Sequence, residues 1–197
     1  MFDQQTVTAV AATAREHGLE PAALLAIAEV ESGGRAFATV GGRDEPLIRF
    51  EGHYFDARLA GETKSRARAA GLASPVAGGI PNPRSQADRW ALLERAAAID
   101  REAAHESVSW GIGQVMGAHW KWLGYASVDA LVAEARESVA GQIRLMVRYI
   151  VKAGLAEAIR KRDWRAFARG YNGPAYARRG YHTKIAAAVQ RQRPYGP

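Results

Sequence analysis

Apolar residues return at helical spacing along most of this chain, and that periodicity limits it to a mainly α architecture. A first helix is expected from about Gln5 to His17, with Gly18 ending it. Pro21 suits the first turn of a second helix running to about Glu31, stopped by Ser32-Gly33-Gly34. Ser85-Gln86-Ala87-Asp88 has the form of a capping box and opens a long helix to about Glu106. Ser127 and Ser138 cap two more helices, a short one covers Asp163 to Arg169, and a last one spaces Tyr181, Ile185 and Val189 every four residues. The periodicity changes once. Phe37–Val40 and Leu47–Phe50 alternate like strands about the turn 41–46, so a small β-hairpin follows the second helix. The Gly-, Pro- and Ser-rich stretch 71–83 is a loop and the best candidate for a flexible flap. With no repeat and no long linker, the expectation is one α+β domain over residues 1–197.

Composition removes several chemistries. At 48% apolar and 24% charged, 197 residues can bury a core. Cysteine is absent, which excludes disulfides, thiolate zinc sites and Cys nucleophiles. The histidines form no His-x-x-x-His pair, and neither a Gly-x-Ser-x-Gly elbow nor a phosphate loop occurs. Neither metal nor cofactor is expected. No apolar run approaches the ~20 residues of a membrane span, and Met1-Phe2-Asp3-Gln4-Gln5 does not read as a secretion signal. Production in the cytoplasm, without stable membrane anchoring, follows as an expectation. The net charge of +7 points to an anionic polymer. No basic helix interleaved with aromatics stands out, which argues against nucleic acid.

The most informative segment is 22–34. Leu24, Ile27 and Ala28 mark an apolar stripe whose next position is Glu31. Desolvation and the negative end of the helix both disfavour a carboxylate there, raising its pKa toward that of a general acid. A buried Glu31–Arg pair is the alternative. Glu29 points about 200° away and should meet solvent or an ordinary ion pair. In the segment 47–55, strand alternation puts Arg49 and Glu51 on one face, opposite Phe50. A sheet carboxylate beside a helix-borne Glu is the arrangement glycoside hydrolysis uses; a surface contact of Glu51 with Arg49 or His53 is the plainer reading. Ser109-Trp110-Gly111-Ile112-Gly113-Gln114 and Tyr171-Asn172-Gly173-Pro174 offer aromatic faces, amides and hydroxyls of the kind that hold N-acetylated sugars. Both could equally be capping turns with Trp110 and Tyr171 in the core.

Four segments in order carry a resemblance: Glu31-Ser32-Gly33, Phe50-Glu51-x-His53-x-Phe55, Ser109-Trp110-Gly111-x-x-Gln114-x-Met116-Gly117, and Phe167 to Pro174. Together they resemble the phage endolysin N-acetylmuramidase family of the lysozyme-like superfamily, related to goose-type lysozymes and soluble lytic transglycosylases. The resemblance spans about residues 20–190. It implies a lysozyme-like fold and cleavage of the β-1,4 bond between N-acetylmuramic acid and N-acetylglucosamine in bacterial peptidoglycan. Glu31 would then be the catalytic acid, Glu51 the candidate second carboxylate, and His53, Ser109, Trp110, Gln114, Tyr171 and Asn172 the substrate-binding set. Gly113 stands where the family usually has an aromatic, implying a missing cleft-wall contact. Gly52 stands for the usual Pro, implying a looser strand end. No separate wall-binding domain is expected, so affinity for the wall falls to the cleft and the basic surface, with the protein acting as a monomer. An endolysin of this kind would accumulate in the host cytoplasm and reach the wall once a holin opens the inner membrane. Two alternatives remain: a lytic transglycosylase forming anhydro-muramyl ends with one Glu, and a non-catalytic binder of anionic polymers driven by charge.

Overall fold

Pro21 at the first helical position and Gly33 in the left-handed conformation bound a helix whose residues Ala22 to Ala28 are buried on every side. An all-round apolar helix has to run through a core, and the rest of the fold is arranged about it. The computed structural model describes residues 2–193. Helix α1 (Gln4–Glu16) precedes this central helix α2 (Pro21–Ser32), and the Asp3 side chain caps α1 by accepting from Thr6 N. Much later in the chain, α9 (Val139–Lys152), α10 (Ala156–Arg160), α11 (Trp164–Asn172) and α12 (Tyr181–Gln192) complete the first lobe, with α12 lying along α2. Its core includes Leu24, Ile27, Ile143, Met146, Phe167 and Ile185.

A second core forms between these two groups of helices. It gathers Phe50, Phe55, Trp90, Leu93, Trp110 and Leu131 from α3 (Gly52–Arg58), α5 (Gln86–Ala97), α8 (Val128–Glu137) and a three-stranded sheet. The remaining helices of this lobe are α4 (Gly61–Ala69), α6 (Arg101–Glu106) and α7 (Trp120–Leu123). The expected caps Ser85, Ser127 and Ser138 are in place, and Asp163 adds one that was not foreseen; each accepts from the main-chain N–H three residues on. The long helix expected from Ser85 to Glu106 is two. It ends at Ala97, and Asp100 restarts α6 by accepting from Ala103 N at 2.9 Å, a local cap outcompeting continuation. Helix α11 runs through Asn172, three residues past the expected Arg169.

The β excursion also differs from expectation. Strand β1 (Phe37–Val40) pairs with β2 (Arg43–Pro46) in the register Val40↔Arg43, across a two-residue Gly41-Gly42 turn with φ of 57° and 79°. Such a turn matches strand twist and closes the hairpin at once, leaving Leu47–Phe50 outside it. Strand β3 (Ile48–Phe50) pairs instead with β4 (Val108–Trp110), which pairs with β5 (Val115–Met116). The open edge of β3 is covered by amide side chains. Asn82 accepts from Phe50 N at 2.9 Å and donates to Phe50 O at 2.7 Å, and Gln86 accepts from Ile48 N at 2.9 Å. The end of the 71–83 loop is therefore fastened to the sheet as a strand would be. Beyond Phe50 the chain turns helical rather than continuing the strand. Gly52 is buried under Ile80 of the same loop, so the expected loose strand end is a tight packing point.

Candidate active site

Glu31 lies in the last turn of α2, where Gly33 N bonds Glu29 O and Gly34 N bonds Ala28 O, turning the chain sharply away. The side chain is half-buried, and Asn172 Nδ2 donates to its Oε1 at 2.6 Å. Burial pushes the carboxyl pKa up to about 7, against a smaller downward pull from the Asn172 hydrogen bond. Among the described residues no guanidinium pairs with it, so the buried ion-pair alternative is not what the chain adopts. Glu29, on the far side, takes the ordinary role expected of it, bonded to Arg191 and Gln192.

Asn172 and Tyr171 come from the final turn of α11. The Tyr171 hydroxyl donates to Gly113 O at 2.6 Å, and its ring stacks on Phe167 at 5.2 Å. Burial, with the Glu31 and Tyr149 charges behind it, holds the phenol well above its ordinary pKa, so it serves as a neutral donor. Asn172 Oδ1 is buried without a protein partner among the described residues, an acceptor left beside the acid. Gln114 stands opposite with φ of 49°, a left-handed conformation held by its own Nε2 donating to Gly111 O at 2.8 Å. A Cβ on Gly113 would lie 2.7 Å from Met146 Cβ, so α9 fills the space that a side chain at this position would need.

A central cavity of about 480 Å³ brings together Glu31, Glu51, His53, Ser109, Gln114, Tyr171 and Asn172. Two further cavities share its walls. One of about 430 Å³ shares Glu31 and Gln114; the other, of about 340 Å³, shares Gln114, Tyr171 and Asn172. They form a groove with the acid near its middle, a shape suited to a linear chain. Glu51 occupies the N-cap position of α3 without a side-chain capping bond, and is held by Arg49 Nε at 2.7 Å, with His53 Nδ1 at 3.6 Å. The surface contact foreseen as the plainer reading is thus present, yet both residues remain on the groove.

Trp110 does not belong to the binding set. It is 1% exposed, packs edge-on to Trp90 at 5.8 Å and donates to His105 O at 3.1 Å. The indole belongs to the second core, and Trp110 lines none of the three groove cavities. Ser109 is mostly buried and bonds Met116 Sδ at 3.0 Å, touching the groove only at its floor. Sequence reasoning missed Tyr54, His119 and Tyr149 at one end of the groove, Arg35, Arg84 and Arg89 at the other, and Arg179 and Tyr181 along the centre. No motif marks them. The one available hint is that Arg35 and Arg84 border glycine- and proline-rich loops rather than helix faces.

The N-acetylmuramidase family model matches residues 20–193. The chain belongs to the N-acetylmuramidase family. The crystal structure of a Burkholderia AP3 phage endolysin matches this muramidase with a TM-score of 0.80 at 32% identity, over 98% of this chain and 73% of that one. A comparison with curated proteins finds no match. The muramidase has the mainly α, lysozyme-like fold expected of it and is a peptidoglycan-cleaving enzyme. The reading as a non-catalytic polymer binder is set aside. Among the described residues, no helix is long and apolar enough to cross a membrane, and no group of three His, Asp or Glu side chains could hold a metal ion.

Proposed function

We propose that the muramidase hydrolyses the β-1,4 bond between N-acetylmuramic acid and N-acetylglucosamine, with Glu31 as general acid. One observation carries this reading: a carboxyl with a pKa raised to about 7 by burial, hydrogen-bonded to a neutral amide, opening on the middle of a groove. Near neutral pH a substantial fraction of such a group is protonated and can donate to the glycosidic oxygen as the bond breaks. Glu51, paired with Arg49, would be the second carboxyl group, serving the oxocarbenium-like transition state or an attacking water. Gln114, Tyr171, Asn172 and His53 would position the sugars, and Asn172 Oδ1 is free to accept from a hydroxyl or acetamide N–H. Glu31→Gln should abolish clearing of purified peptidoglycan while the protein stays folded; an active variant would remove the proton source.

The Arg49–Glu51 pair favours a second reading, because a carboxylate engaged by a guanidinium is less available as base or nucleophile. In a lytic transglycosylase the single Glu suffices, since the sugar's own C6 hydroxyl attacks. Mass spectrometry of the released fragments separates the two: transglycosylation leaves ends lighter by one water than hydrolysis does. We also propose the biological setting of an endolysin, a monomer made in the host cytoplasm and admitted to the wall when a holin opens the inner membrane. Fractionation before and after membrane permeabilisation tests it, and activity outside the inner membrane without permeabilisation would refute it.

A further inference from the structure

On one side of Glu31 the groove becomes cationic. The cavity of about 430 Å³ there is lined by Arg35, Arg84 and Arg89, and Glu31 is its one acidic side chain. Some arginines elsewhere are neutralised by carboxylates: Arg68 lies 2.6 Å from Asp56, Arg136 2.8 Å from Glu45, and Arg162 3.1 Å from Glu20. Among the described residues, none of the three groove arginines has a carboxylate within 4.0 Å. Arg89 is half-buried and donates only to carbonyls, Pro83 O at 2.8 Å and Ile48 O at 3.0 Å. The exposed Arg35 and Arg84 guanidinium groups donate to no protein acceptor among the described residues. The amino end of the 12-residue helix α5 borders the same space through Ser85, Gln86 and Ala87, with Asp88 of its first turn bonded to Ser85. Cationic side chains that line one cavity make it a favourable place for a bound anion.

We propose that this end of the groove receives the carboxylates of the peptide stem borne by the muramic acid lactyl group. The inference rests on the reading of Glu31 as the acid. The bond it would protonate joins the sugar carrying that lactyl ether, so the stem leaves the glycan beside Glu31, within reach of the adjoining cavity. A glycan backbone is itself uncharged where it lies in a groove, whereas stem peptides carry carboxylates that a planar guanidinium fork binds through two parallel bonds. Arg35 and Arg84 take the stem; Arg89, fixed by its main-chain bonds, holds the local potential positive.

The test uses the whole protein with Arg35→Gln and Arg84→Gln combined, and Arg89 left intact. Steady-state kinetics are measured on uncross-linked glycan chains bearing stem peptides and on the same chains stripped of peptide by an amidase. The expected result is a KM raised roughly tenfold on peptide-bearing chains with kcat little changed, as fits the loss of charge-assisted hydrogen bonds, and a KM within about twofold of the parent on stripped chains. Free stem tetrapeptide should inhibit the parent and not the variant, and an unchanged melting midpoint checks the fold. An unchanged KM on peptide-bearing chains overturns the proposal. So does an equal rise on both substrates, which would assign the arginines to the free lactyl carboxylate or to the glycan. Activity retained by Glu31→Gln is a separate result, and it would remove the underlying reading of the acid instead.

Discussion

Replacing Glu31 by Gln should stabilise the protein in alkali while leaving its stability in acid nearly unaffected. The carboxyl has a pKa of about 7 in the fold against 4.5 as a free side chain. Between those values the folded state holds a proton that the unfolded chain has released, so stability falls as pH rises through that window. Below pH 4.5 both states are protonated and the contribution is fully present; above about 7 it is lost, and the fold carries a desolvated carboxylate. The displacement corresponds to about 3 kcal/mol. Gln keeps the shape and an oxygen to accept from Asn172, and it never ionises. The two proteins should therefore share a denaturant midpoint trend at pH 4 and diverge through pH 7. In alkali the variant should melt roughly 6–12 °C higher for a domain of this size. The assay is urea unfolding at a series of pH values, compared as the difference between parent and variant so that any constant offset cancels. A difference that does not change with pH would show that residue 31 titrates normally, and the account of the acid would be wrong.

The same group should set the alkaline limb of kcat/KM near pH 7, and Asn172→Leu should move that limb upward, because the Asn172 hydrogen bond lowers the pKa; a pH–rate profile shifted downward would contradict it. Gln142→Leu should cost roughly 2–5 kcal/mol, read as a lower urea midpoint at constant slope. It would strand Ile112 N, Ala36 O and Ala135 O, which the buried amide now satisfies at 2.7, 3.1 and 3.0 Å. An Ala at Gly52 collides with Ile80 and should destabilise by about 1–3 kcal/mol; an unchanged melting midpoint would mean the 71–83 loop yields freely.

Local chemistry was legible and long-range pairing was not. Caps such as Ser85 and Ser127, the Pro21 start and the Gly33 stop each act within four residues, and the structure uses them as read. The apolar stripe through Leu24 and Ile27 led to Glu31, although α2 is buried on all sides, so the stripe is not what aims the acid. Its direction comes from the turn at Gly33 and from Asn172, 141 residues away. Glu51 was found by strand alternation and His53 by motif, while the helix that starts between them was hidden by that same alternation through Ile48 and Phe50. Trp110 was misplaced because a tryptophan beside glycines looks like a sugar platform until its strand partners are known. Those partners, Ile48 and Val115, lie in different segments of the chain. The groove arginines carry no local signature at all, since what sets them apart is the convergence of Arg35 with Arg84 and Arg89 on one cavity, which only the fold reveals.

That the acid sits on a groove follows from the protein having two cores rather than one. Helix α9 serves both: Ile143, Met146, Val147 and Ile150 enter the first, Leu145 enters the second, and Tyr149 packs against each. The seam between the cores cannot close over the glycine turn, because Met146 already presses on Gly113 and Tyr171 holds that residue's carbonyl. Glu31 reaches the groove from the first lobe and Glu51 from the second. A carboxyl at such a seam is shielded by protein on one side and open to substrate on the other. It is dry enough to keep its proton near neutrality and exposed enough to give it away. A single continuous core would have buried Glu31 out of reach, and a surface helix would have left it ionised at neutral pH.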